Sequence, residues 1–356
     1  MNLIFEINYG VFAIFASLLL TEIMGSVLLL LFYDATKTKV LQYIIPIWEV
    51  TGTFGAFWVV TGDFAFPSLL LPVASIFGAL LTVFLILFIA RNASIVFGEF
   101  IIKKRWLDAK KLYQGYALST LLLGVSVLIL LSALVSGKGI VGLSSPFSLG
   151  AWISSPGSLV FLAGTLLIGL GLAPVFFGLG ALRKKYFPIT ILGVLISIGA
   201  YYLYSPSLVT VWIAIPALLT IIAGALFISD KTSPIVTNKA VFISLLSIII
   251  FSLQPMIYPK IIGQSIAIDS VTTSGPMAQA FYIISVTGGA LLAVMLAFYV
   301  WVAMRGLEAK SKTSILVSLA RKNQQRFFAT SSKAKFFDAE ATKSLAGDKK
   351  DAVTTA

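Results

Sequence analysis

The sequence predicts an all-α membrane protein of nine transmembrane helices, with the N-terminus outside and the C-terminus in the cytoplasm. Three observations carry that prediction. Of the 356 residues, 58% are hydrophobic and only 11% charged, and the mean hydropathy is +1.00. A soluble core has no need of that balance, whereas a polytopic membrane protein does. Apolar runs long enough to cross a hydrocarbon layer of about 30 Å recur along the chain. The basic residues, finally, gather on alternate connections between those runs, as the positive-inside rule requires.

The runs cover residues 11–33, 42–62, 66–90, 112–136, 157–182, 187–205, 207–229, 240–258 and 278–304. The first is a span rather than a signal peptide: it lacks a basic leader, exceeds the length of such a segment, and eight more runs follow. One set of alternate connections holds Lys37, Lys39, Arg91, Lys103, Lys104, Arg105, Lys110, Lys111, Arg183, Lys184, Lys185, Lys231 and Lys239, and the tail beyond the ninth run adds the rest. Only Lys138 and Lys260 fall on the other side. The net charge of +12 is thus membrane topology, and no nucleic-acid partner is expected. Residues 1–305 form the predicted nine-helix transmembrane domain, and residues 306–356 a basic cytoplasmic tail, disordered or peripheral to the inner leaflet.

The other connections differ in kind. Ser205-Pro206 barely separates two runs. Residues 137–156 are rich in Gly, Ser and Pro and are expected at the membrane interface with Phe147 and Trp152. Residues 259–277 are polar and turn-rich. Pro255 and Pro259 bracket a segment that should kink or end its helix. Gly124, Gly164, Gly169, Gly171 and the Gly288-Gly289 pair are close-packing points.

Composition excludes much chemistry. With no cysteine there is no disulfide or thiolate ligand. With no histidine the usual haem ligand, zinc ligand and near-neutral base are missing. No catalytic residue, metal site or cofactor site is assigned to this chain, and no P-loop, nucleophile elbow, zinc signature or dinucleotide fingerprint occurs.

The polar content at membrane depth is concentrated from Pro46 to Pro67, which carries Glu49, Thr51, Thr53 and Asp63 among aromatic and apolar residues. A carboxylate in a transmembrane segment costs about 2.5–3.5 kcal/mol on insertion scales and is a functional candidate by default. Glu22 lies mid-way along the first run, about 16 Å deep, and Glu49 about 10 Å into the second from the cytoplasmic side, by the helical rise. The two runs are consecutive and antiparallel, so the carboxylates are either steps of a proton path, with Thr51 and Thr53 alongside, or separate polar contacts. Asp63 is expected to be solvated.

Several short motifs, in order, resemble subunit II of the cytochrome bd-type quinol oxidases. Thr21-Glu22 fills the place of a Thr-Asp pair in the first helix. Pro46-Ile47-Trp48-Glu49 opens the second helix where that family has Pro-x-Trp-acidic, and Phe64-Ala65-Phe66-Pro67 closes it. Arg91 followed by Phe97-Gly98-Glu99-Phe100, then Ser145-Pro146-Phe147, then Pro255 with Pro259 and the segment Ser270–Ser274 complete the series. Val50-Thr51 replaces the family's Gly-Asn, and Gly25 stands where a second acidic residue is usual, so the resemblance is to a divergent member.

The resemblance implies two four-helix bundles plus a peripheral helix, beside a similarly folded, histidine-containing subunit I. That partner would carry the haems, b and d-type or b only. Membrane lipid or quinone and small accessory subunits are further partners it implies. This chain would then be the haem-free subunit of a quinol-oxidising, oxygen-reducing complex in the plasma membrane. It would support assembly and a cytoplasmic proton path through Glu49 and Glu22, with Trp48, Arg91, Glu99, Pro255 and Pro259 as family-motif residues. Two other readings stand beside it: a proton-coupled transporter, and the membrane anchor of another cytochrome complex. Inverted-repeat transporters favour even span totals and internal repeats, and neither is evident here.

Overall fold

The computed structural model describes residues 2–100, 108–142, 145–204, 211–228, 239–258, 260–261 and 265–298. Helix α1 (Leu3–Leu31) turns at a single residue, Phe32, into α2 (Tyr33–Ala65), which is followed by α3 (Pro67–Phe100) and α4 (Ala109–Ser136). A short α5 (Leu149–Ile153) leads to α6 (Pro156–Phe176), α7 (Ala181–Tyr204), α8 (Val211–Ile228) and α9 (Lys239–Phe251). After α10 (Gln254–Ile257) the two-residue strands β1 (Lys260–Ile261) and β2 (Ile266–Ala267) pair antiparallel. Helix α11 (Ile268–Val271) and α12 (Gly275–Phe298) complete the described chain. Residues Met1–Leu296 form one compact unit. The predicted tail, 306–356, lies outside the described residues.

Among the described residues seven helices are long and apolar enough to cross a membrane: α1, α2, α3, α4, α6, α7 and α12. Two shorter apolar helices, Ala214–Leu226 within α8 and Lys239–Phe251, join them. The protein is therefore an all-α, multi-pass membrane protein, and every predicted run falls on an apolar helix. The run at 240–258 is divided. Pro255 has no N–H and its ring crowds the carbonyl four residues back, which is that of Phe251, the last residue of α9.

Among the described residues, predicted connections at the basic end are in part helical. Lys37 and Lys39 lie on the first turns of α2, and α3 runs ten residues past the expected boundary at residue 90, carrying Arg91 and Glu99. Apolarity marks where hydrocarbon ends. The backbone hydrogen-bond ladder does not depend on that boundary and runs on past it, even through Gly98.

Helix α1 is the central post. A side chain on Gly25 would meet Val40 and Ile44 of α2, and Phe15 packs on Gly55. The Asn8 amide donates to Thr61 Oγ1 at 3.0 Å. On its other flanks Ile23 fills the space over Gly124 of α4. Ser17 and Ser247 of α9 share a hydrogen bond of 2.8 Å, and the Tyr9 hydroxyl donates to the Ile250 carbonyl. Helices α6 and α7 approach backbone to backbone through Gly164, Gly171 and Gly193. The turn between them uses Gly178 and Gly180 at φ +61° and +49°, a left-handed conformation suited to glycine.

Two connections fold back onto the bundle. In the segment 137–156, expected at the interface, two aromatic side chains turn inward. Trp152 is buried and donates its indole N–H to Ser132 Oγ at 2.9 Å, while Phe147 packs on Phe77. A buried indole needs an acceptor, and α4 supplies it. At the same end the β1–β2 ribbon and α11 cover α1: Ile268 joins Phe5, Tyr9 and Phe12, and Thr273 N–H donates to the Ala65 carbonyl.

The α6–α7 contact gives the first prediction. A Cβ at Gly171 would stand 2.2 Å from Thr190 Oγ1 and 2.5 Å from Thr190 N, a backbone atom that cannot swing aside. Gly171→Val should cost about 1–3 kcal/mol through overpacking, seen as a lower unfolding midpoint in detergent. An unchanged midpoint would mean that the two helices part freely.

Candidate functional site

Glu22 of α1, Arg91 of α3 and Tyr116 of α4 converge inside the bundle. Glu22 stands nine residues before the end of α1 and Arg91 nine before the end of α3. Both helices end at the basic face, so at the usual helical rise the two charges sit at one depth of about 14 Å. Tyr116 is seven residues into α4, which starts from that same face. Sequence reasoning found Glu22 but placed Arg91 in a connection, and the helical extension of α3 corrects that. It missed Tyr116 altogether. The available signal was electrostatic: a carboxylate within an apolar run needs a partner, and Arg91 stands directly at the end of another such run.

All three side chains are buried. Arg91 forms an ion pair with Glu22 through Nη2, and its Nε donates to the same oxygen, Oε2, at 3.1 Å. The Tyr116 hydroxyl donates to Oε2 at 2.7 Å. Arg91 Nη1 donates to Asn92 Oδ1 at 2.9 Å, and its guanidinium lies over the rings of Phe88 and Tyr116 at 5.6 and 5.7 Å. Around the pair, the hydroxyls of Thr21 and Thr120 donate back to carbonyls of their own helices. Three donors thus fall on one carboxylate oxygen. The other, Oε1, has no hydrogen-bond partner among the described residues, and neither has Ser26 Oγ one turn further along α1.

Glu49 has the opposite setting. It is at the middle of α2 and exposed, and its carboxylate has no hydrogen bond or ion pair among the described residues. The packing of Gly25 on Val40 and Ile44, and of Phe15 on Gly55, sets Glu22 opposite the Pro46 turn. Glu49 is therefore about one turn further from the basic face than Glu22, the reverse of the expected order. The structure does not bring the two carboxylates together. Thr53 is exposed beside Glu49, and its hydroxyl donates to the Glu49 carbonyl at 2.9 Å; Thr51 is buried and donates to the Ile47 carbonyl. Trp48 is half-buried.

The remaining motif residues are scattered. Glu99 is exposed near the basic end of α3 and accepts from the Tyr113 hydroxyl. Pro255 opens α10 at the other end, and Pro259 lies outside the described residues. Asp63 is exposed, as expected. Among the described residues no three carboxylates converge as metal ligands would. An apolar cavity of about 300 Å³ lies between α1, α4, α6, α7, α8 and α9, lined in part by Tyr9, Leu128, Phe161, Tyr201, Thr220 and Leu246.

The Glu22–Arg91 pair should act as a pin. Removing one member of a buried pair strands the other and costs about 3–5 kcal/mol, whereas exchanging both for apolar residues is often neutral. Arg91→Met alone should therefore sharply lower the unfolding midpoint in detergent, and Glu22→Leu combined with Arg91→Met should recover most of it. A double variant no better than Arg91→Met would rule out pairing as the reason for the loss.

No family model matches the sequence, and no curated protein matches it. The fold is similar to a chain of the bd oxidase from Geobacillus thermodenitrificans, with a TM-score of 0.62 at 18% sequence identity, over 83% of this chain and 96% of that one.

Proposed function

We propose that this chain is the haem-free subunit II of a cytochrome bd-type terminal oxidase, a divergent member of that family. The observation that carries the reading is the likeness of fold to a bd oxidase chain across almost all of that chain's length. Two further points support it. Glu22 and Arg91 come from two separate motifs of the resemblance, and they meet in one buried pair. The sequence has no histidine or cysteine, which suits a subunit that leaves haem ligation to its partner.

On this reading the seven long and two short apolar helices are nine spans, with the basic face cytoplasmic in the plasma membrane. The haems, b and d-type or b only, and the quinol chemistry belong to a histidine-containing subunit I. Reduction of oxygen to water consumes protons, and drawing them from the cytoplasm makes the reaction electrogenic. Glu49, with Thr51 and Thr53 near it, is the candidate carrier on this chain. A carboxylate held at membrane depth can take up and release a proton as its surroundings change. Its exposure sets that role on the surface a partner would cover, while Glu22 contributes through the pair that positions α1 and α3. A transporter or a simple anchor subunit would also expose apolar helices, but neither accounts for the fold likeness together with the Trp48-Glu49 motif.

Two experiments test this. Purified in a mild detergent, the chain should bring with it a larger, histidine-containing membrane subunit with visible haem absorbance. Active protein isolated as a lone, colourless chain would end the oxidase reading. Glu49→Gln keeps size and hydrogen bonding but cannot titrate. It should assemble with normal haem content yet show slowed oxygen consumption and slowed haem re-oxidation, and Glu49→Asp should keep most activity. Wild-type turnover in Glu49→Gln would rule out the proton-path role.

A further inference from the structure

At the basic face, α2, the α6–α7 turn and α9 bring two lysines together. Lys39, exposed on α2, donates to the carbonyl of Gly178 in the turn at 3.3 Å. Lys239, the first residue of α9, sets its ammonium over the rings of Phe176, Tyr43 and Phe177 at 4.5, 5.3 and 5.9 Å. Gly178 follows Phe177 directly, so the two ammonium groups stand on adjacent residues of one turn, and the charge of Lys39 acts unfavourably on Lys239. The two ion pairs found among the described residues are Glu22–Arg91 and Lys110–Asp34, and neither lysine belongs to them. Lys239 makes no hydrogen bond among the described residues, and the residue is half-buried.

Two cations held together with no carboxylate between them among the described residues are a poor internal arrangement. Capping of the α6 C-terminus accounts for Lys39, which takes a carbonyl there, but not for Lys239, which takes none. Rings beneath an ammonium fix its position without neutralising it or using its three N–H donors. What such a pair lacks is an acceptor with negative charge. Its location at the end of apolar helices, against aromatic side chains, is the level at which headgroup phosphates lie. Basic pockets between transmembrane helices on the positive side bind anionic headgroups in this way.

We propose that Lys39 and Lys239 form a binding site for the phosphate of an anionic phospholipid, bridged between the two ammonium groups while the acyl chains run down the outer surface of the bundle. The rings of Tyr43, Phe176 and Phe177 hold Lys239 at the site, and the Gly178 carbonyl holds Lys39. The lipid would bind α2 to α9 across the α6–α7 turn. The inference does not depend on the oxidase reading.

Native mass spectrometry of the purified complex, titrated with phosphatidylglycerol, phosphatidylcholine or inorganic phosphate, tests it. Phosphatidylglycerol should be retained in preference to phosphatidylcholine. Lys39→Gln and Lys239→Gln should each weaken retention about fivefold, at the usual strength of one lysine near a membrane surface. Lys239→Arg, which keeps charge and ring stacking, should retain binding, and Lys37→Gln, whose lysine lies over Tyr33 on another face of α2, should leave it unchanged. Unaltered retention in the Lys39→Gln/Lys239→Gln double variant would overturn the site. Displacement of the lipid by equimolar inorganic phosphate would overturn the assignment to a lipid headgroup.

Discussion

A carboxylate and a guanidinium inside apolar helices have no solvent to fall back on, and the packing of this bundle follows from how that is resolved. Glu22 and Arg91 reach each other only if α1 and α3 are aligned to within about a turn, and Tyr116 adds the same condition on α4. In hydrocarbon, unmatched alternatives are costly, so the pair selects one register from many that greasy surfaces alone would accept. Such pairs contribute more to specificity than to net stability, since their own desolvation offsets most of the attraction. Once α1 is fixed, small residues decide what lies beside it: Gly25 and Gly55 admit α2, Gly124 admits α4, and Ser17 meets Ser247 of α9.

The elements of this fold were legible because hydrocarbon imposes a length and a polarity that sequence displays directly. Each apolar run became a helix, Pro255 broke the helix it was expected to break, and Gly124, Gly164, Gly171 and Gly288 each lie where another chain segment leaves no room for a side chain. Gly289 does not, having open space around it, and neither does Gly169, where a side chain would meet only Leu20 at an ordinary 4.0 Å. Helix ends were less legible, because the apolar run stops at the hydrocarbon edge while the backbone ladder continues. That is why Arg91 was taken for a connection residue. The partner of Trp152 was not legible for a different reason. In a Gly, Ser and Pro segment no periodicity tells whether an indole faces lipid headgroups or folds inward to Ser132.

Half of the candidate site was visible for a related reason. Glu22 and Glu49 stand out in any hydropathy profile, but what a charge is matched with depends on tertiary neighbours. The sequence left open whether the two are steps of one path at graded depth or separate polar contacts. They are not equivalent: one is enclosed by three donors from this chain, and the other is exposed with none among the described residues.

That difference separates structure from function in this chain. The charge of Glu22 is answered internally, so its removal is felt first as instability, through the stranded Arg91. Glu49 is answered by no side chain among the described residues, so its removal should leave their packing untouched. A membrane-depth carboxylate kept under those conditions either faces lipid, at a cost the chain gains nothing from, or faces a surface that another protein completes. A second copy docked on the same face about a twofold axis would set Glu49 near its own mate, and like charges at that depth repel. The face is better completed by a different chain that offers a donor, water or a proton. In the oxidase reading this is the haem-bearing subunit, and Glu49 then stands at the seam between the two subunits, where a proton consumed in one could be passed from the other.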